Sequence, residues 1–110
     1  MAGYYHREDL PRFPEMGKDA PQLWEKFNDW YQAVFADGAL GEKDKALIAL
    51  AVAHAVQCPY CIDAYTQACL EKGSNLEQMS EAIHVASAIR GGASLVHGLQ
   101  MRNTADRIMM

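Results

Sequence analysis

The sequence predicts an all-α fold, on three observations. Ala, Leu and Met total 32 residues against 12 of Val, Ile and Thr, a bias that favours helices over strands. Apolar residues recur at the three- and four-residue spacing of a helix face. Pro and Gly fall where such periodic runs begin and end. At 110 residues the chain has the size of one domain with a single core. The expectation is one domain over 1–110, of about five helices, with 1–20 as an N-terminal arm.

The arm contains Pro11, Pro14 and Gly17 and reads as extended, with one short turn at most; Tyr4, Tyr5 and Phe13 are its groups for packing onto the body. Pro21 suits a first helical position, and Leu23, Trp24, Phe27, Trp30, Tyr31, Val34 and Phe35 recur at helical spacing until Asp37-Gly38 stops the run. A second helix over 42–56 is apolar on nearly every face after Lys45, so it must be covered on nearly every face. A domain this small has too few helices to do that alone, which predicts that other subunits supply part of the cover. Pro59 disfavours a helical Cys58 and favours a third helix starting at the cysteines and running to Lys72, with Gly73 just past its end. In that helix Ile62, Tyr65, Thr66, Cys69 and Leu70 form an inner stripe, and Asp63, Gln67 and Glu71 an outer one. Ser74-Asn75-Leu76-Glu77 reads as a capping box for a fourth helix, with Met79, Ile83, Ala86 and Ile89 inward, ended by Gly91-Gly92; a fifth helix over 93–107 follows.

Charge and hydropathy exclude several functions. A net charge of -4 and no Lys/Arg cluster remove the electrostatic footprint of a nucleic-acid binder. The longest apolar run, 46–56, is 11 residues interrupted by His54, short of the roughly 20 that a bilayer crossing needs, so no membrane partner is expected. The first residues lack a basic segment followed by an apolar one, which makes the cytoplasm the expected location and structural disulfides unexpected.

In that setting the pair in Cys58-Pro59-Tyr60-Cys61 is the most informative feature. Two thiols at a helix start lie close enough to pair, and the free backbone N–H groups and helix dipole there favour a thiolate. Two other readings compete. Both cysteines can be small buried hydrophobes, or His54 can join them in a zinc site, although no second C-x-x-C or H-x-x-x-H completes four ligands. A thioredoxin-like context needs βαβ units that this strand-poor composition lacks. No metal and no cofactor are therefore expected. Cys69, two turns after Cys61 on the inner stripe, reads as an inert buried thiol, and His6, His84 and His97 read as structural or without signal.

The run over 45–66, holding His54, Cys58, Cys61, Tyr65 and Thr66, with Glu81-Ala82-Ile83-His84 and Gly91-Gly92 through His97 downstream, resembles the alkylhydroperoxidase D-like members of the carboxymuconolactone decarboxylase family. The resemblance covers about 40–100. It implies an alkylhydroperoxidase D-like helical subunit with the cysteine pair at the start of a central helix, a homo-trimer or homo-hexamer, a peroxide substrate and a dithiol reductant. It also implies roles: Cys61 attacks the peroxide and becomes a sulfenic acid, and Cys58 resolves it to a disulfide. The sequence departs from the family's proton relay, which uses a Glu twelve residues before the first Cys and a His four after the second; here these positions hold Ala46 and Tyr65. Ala has no titratable group and an unperturbed Tyr has a pKa near ~10. Tyr65 can still donate a hydrogen bond to a thiolate or sulfenate, or can be a core aromatic. His54, one turn before Cys58, is the natural replacement base, or a core histidine bonded to a backbone carbonyl.

A narrower resemblance rests on the arm over 3–10, the stretch over 30–39 and Cys61-Ile62-Asp63-Ala64-Tyr65-Thr66, which are similar to peroxidase-like proteins associated with arsenosugar biosynthesis. Two competing functions stand beside the dithiol peroxidase: a decarboxylase-like enzyme of the same family, which works without a redox dithiol, and a noncatalytic oligomeric or small-molecule binding protein.

Overall fold

The computed structural model describes residues 3–110, and among them there are helices and no strands. A 3-10 helix, Arg7–Gly17, precedes four α-helices: α1 (Pro21–Phe35), α2 (Glu42–Ala55), α3 (Pro59–Glu71) and α4 (Leu76–Met109). The fold class is the predicted one, and the residues that start and stop α1, α2 and α3 are those the sequence marks.

Three expectations need correction. The arm is not extended: an 11-residue 3-10 helix spans it, with Pro11 and Pro14 inside. An α-helix would lose hydrogen bonds at both prolines, whereas Asp9, Arg12 and Glu15 support the tighter winding through pairs three residues apart. Phe13 packs edge to face on Trp24 with ring centroids 5.0 Å apart, and Tyr5 packs on Tyr60, while Tyr4 is exposed and packs on nothing. A Cβ at Gly17 would come within 2.7 Å of the Trp24 ring, so glycine lets the arm lie flat on α1.

The capping box lies one residue later than expected, with Asn75 as N-cap and Gln78 as its reciprocal partner at 2.9 and 3.1 Å. Ser74 is instead buried, with its hydroxyl unpartnered. Finally, Gly91-Gly92 does not end a helix: α4 is one helix of 34 residues, about 51 Å long at ~1.5 Å per residue. Two glycines cost about 1 kcal/mol each against alanine, which slows no helix that continues into good helix formers on both sides. At Gly73 the outcome differs, because φ is 91° and Asn75 is ready to cap the next helix.

The helix α2 is central and packs on both α3 and α4. The core is small: Ala46 and Leu50 of α2, Cys69 of α3 and Met79 of α4, with Leu47, Tyr65 and Ala68 against it. On α4, Met79, Ala82, Ile83 and Ala86 are buried or half-buried, but Ile89 is exposed, and over 87–110 only Gly98 and Ala105 are less than exposed. The C-terminal half of α4 thus runs past the end of α2. The radius of gyration is 18.9 Å, against about 13 Å for a compact domain of this length.

Candidate active site

The end of α2 and the start of α3 are built as one joint. The N–H of Cys58 donates to the Ala53 carbonyl at 3.0 Å and that of Gln57 to His54 at 3.2 Å, the paired bonds of a Schellman ending, with Gln57 at φ 57° in the left-handed position. Cys58 is therefore both the last residue of that ending and the N-cap of α3. Its sulfur accepts the Cys61 N–H at 3.2 Å, and Pro59 fills N1, where no N–H is needed. The same joint recurs at the end of α3, where Ser74 donates to Cys69 and Gly73 to Leu70.

This geometry brings the two predicted cysteines together. Cys58 and Cys61 are paired as a disulfide, with Cα atoms 5.2 Å apart. Cys61 also lines an apolar cavity of about 420 Å³ between α1, α2 and α3, with Tyr31, Phe35, Val52, Val56 and Tyr65 among its walls. Tyr65 stacks on Phe35 with centroids 5.2 Å apart, and these two rings with Tyr31 separate this cavity from a second one of about 430 Å³ beside the Glu42–Lys72 ion pair. Lys45 is the charged residue at the Cys61 cavity, its ammonium donating to the Ala36 carbonyl at 2.6 Å.

The remaining candidates divide. The Nδ1 of His54 is 2.8 Å from the Leu50 carbonyl and donates its proton there, which leaves Nε2 uncommitted by that bond; the side chain is not among the walls of the Cys61 cavity. Tyr65 does border that cavity. Ala46 is buried in the core. Cys69 is fully buried, and burial pushes its thiol pKa up, which disfavours the reactive thiolate. His84 and His97 lie on exposed positions of α4. Among the described residues no group of three or more His, Cys, Asp and Glu could hold a metal ion.

One cluster escaped the sequence reading. Asp63, assigned to an outer, solvated stripe, has a side chain only 16% exposed and accepts two bonds on the same oxygen, from Tyr5 Oη at 2.5 Å and Arg7 Nε at 2.9 Å. The Tyr5 hydroxyl, then the Arg7 guanidinium, hold the Asp63 carboxyl below its ordinary pKa. Partners 58 and 56 residues away leave no local sequence signal.

An all-helical chain with a cysteine pair at a helix N-terminus, its Cys61 lining an apolar cavity, defines a small helical protein of the dithiol-bearing kind. The profile of the carboxymuconolactone decarboxylase family matches residues 21–101, and the chain belongs to that family. A Paracoccus denitrificans protein, "Uncharacterized protein 4 in cox locus", is 44% identical over 77 residues, 70% of this chain and 69% of its own. Among solved structures, a carboxymuconolactone decarboxylase family protein from Legionella pneumophila superposes with a TM-score of 0.70 at 35% identity, covering 83% of this chain and 82% of the other. A protein from Methanobacterium thermoautotrophicum gives 0.68 at 32% identity, covering 84% and 97%.

Proposed function

We propose that the chain is a dithiol peroxidase that reduces organic hydroperoxides and is recycled by a dithiol. The observation that carries this reading is the Cys58–Cys61 pair with Cys61 at the apolar cavity. In the reaction the Cys61 thiolate attacks one peroxide oxygen, the O–O bond breaks, and the alkoxide leaves with a proton as the alcohol, which makes Cys61 a sulfenic acid. The Cys58 thiolate then attacks that sulfur and displaces hydroxide, which leaves as water once protonated. The helix-start position and the Cys61 N–H favour Cys58 as a thiolate, which suits a resolving thiol. An external dithiol reduces the disulfide by two exchanges and is itself oxidised to a disulfide. The walls of the cavity favour a substrate with an apolar substituent over hydrogen peroxide.

With Ala46 and Tyr65 at the relay positions, the acid–base group in this reading is His54, whose Nε2 takes up the thiol proton and passes it to the leaving oxygen, assisted by Tyr65 at the cavity wall. The subunit works as a homo-oligomer, in keeping with the many apolar side chains it leaves exposed. Among the described residues no helix is long and apolar enough to cross a membrane.

The test is consumption of an alkyl hydroperoxide and of hydrogen peroxide by the purified protein with a dithiol reductant, beside Cys61→Ser. Turnover that Cys61→Ser abolishes, with preference for the alkyl substrate, supports the reading. No turnover despite a disulfide that forms and is reduced defeats the peroxidase step, and binding of apolar molecules without any thiol dependence points to the noncatalytic alternative.

A further inference from the structure

The N-terminal arm is fastened to the turn that carries both thiols. Tyr5 and Arg7 converge on one oxygen of Asp63, two residues after Cys61. The Tyr5 ring also meets that of Tyr60 edge to face, with centroids 4.6 Å apart, and Tyr60 lies between the two cysteines. The far end of the arm is anchored separately, through Phe13 on Trp24 and Phe27 of α1. The clamp on α3 is thus a distinct contact, made by a cation and a hydroxyl on a carboxylate in the first turns of the helix that the dithiol opens.

The chemistry of the pair gives this contact unequal effects in its two redox states. The reduced form carries a thiolate, and the disulfide carries no charge. An Asp63 carboxylate left bare would oppose that thiolate; the Arg7 guanidinium offsets the carboxylate and itself attracts the thiolate. We propose that Tyr5, Arg7 and Asp63 are positioning residues that tune the dithiol: the docked arm stabilises the reduced form and so raises the reduction potential of the Cys58–Cys61 couple. By linkage, reduction of the pair tightens the arm, and oxidation loosens it. The inference rests on the redox reading of the pair, but not on which substrate oxidises it. The other charged and titratable groups on the elements packed about the pair are Lys45, Tyr31 and Tyr65, which share the cavity with Cys61, Tyr60 between the cysteines, His54 in the last turn of α2, and Arg90 of α4, which donates to the Ala55 carbonyl. All of these are unchanged in the variants below.

The test measures the dithiol–disulfide equilibrium of the full chain in glutathione redox buffers, together with thiolate absorbance against pH. Arg7→Gln removes the positive charge and is expected to shift the equilibrium about 3- to 10-fold toward disulfide and to make the thiol less acidic, on the order of the half to one pK unit by which neighbouring charges ordinarily move side chains in folded proteins. Asp63→Asn removes the negative charge while keeping an acceptor for Tyr5, and shifts both readouts the opposite way. Arg7→Lys, which restores the charge, returns the equilibrium toward that of the unmodified chain. A purely structural clamp moves Arg7→Gln and Asp63→Asn in the same direction, or neither, and either result overturns the proposal. If the unmodified chain forms no Cys58–Cys61 disulfide in any buffer, the redox reading falls and takes this inference with it. A disulfide that forms normally without opposite shifts overturns this inference alone.

Discussion

At the scale of single residues, the three cysteines differ in what surrounds them. Cys58 and Cys61 sit at a helix start, half-buried and paired, whereas Cys69 is enclosed by the core with its thiol pKa raised by burial. Mild oxidation is therefore expected to remove two hydrogens from the peptide holding Cys58 and Cys61 and to leave Cys69 free, as peptide mass spectrometry would read. A bridge to Cys69 would contradict this. His54 carries a second expectation. If Nε2 moves protons, His54→Gln lowers the single-turnover rate of Cys61 oxidation by about 10²-fold at unchanged folding; if the ring only serves the Leu50 carbonyl, the change costs about 1–3 kcal/mol of stability and leaves the rate per folded molecule intact. Asp63 sets a pH dependence. Its carboxyl titrates lower in the folded chain than the ordinary ~3.9, so its contribution to stability is complete above that value and is lost as pH falls through the folded one. Urea midpoints of the unmodified chain and Asp63→Asn should differ near neutrality and converge in acid, and a constant difference would contradict the linkage.

The helices show which local signals outweigh which. The Schellman ending of α2 uses Gln57 in the left-handed region, where a side chain costs about 1–2 kcal/mol. Gln57→Gly should stabilise the chain by about 0.5–1 kcal/mol once the greater freedom of glycine in the unfolded state is offset. In α4 the same reasoning has the opposite sign. Gly91 and Gly92 are helical and a Cβ on either meets nothing within 4 Å, so Gly91→Ala and Gly92→Ala should each raise stability by about 0.5–1 kcal/mol. A fall in melting temperature in either variant would show that the helix breaks there.

The shape of the subunit speaks for assembly. Ile48, Val52 and Val56 on α2 and Leu95, Val96, Leu99, Met101 and Ile108 on α4 are all exposed, and the molecule measures 59 × 37 × 36 Å. Apolar surface of this extent along a helix that leaves its own core is of the kind that closed oligomers cover. Light scattering at micromolar concentration should give a mass several times that of the 12.2 kDa chain, three- or sixfold on the family resemblance. A monomer would contradict the assembly.

The sequence by itself determined the helical class, the starts and stops of α1 to α3, and the placement of two cysteines together at a helix start, with their pairing one of three readings it left open. Each rests on neighbours a few residues apart: Pro59 at N1, Gly73 past the end of α3, and two thiols three positions apart at a helix start. It did not determine whether Gly91-Gly92 would break α4, because glycine sets only a small local cost that the helices on either side outweigh. It gave no sign of the Asp63 clamp or of the cavity at Cys61, since these join the arm, α1, α2 and α3 across long stretches of chain. Only the tertiary structure could decide them, because a carboxylate on a polar stripe and an aromatic on an apolar one look alike in sequence whether they meet solvent, a partner helix or a thiol.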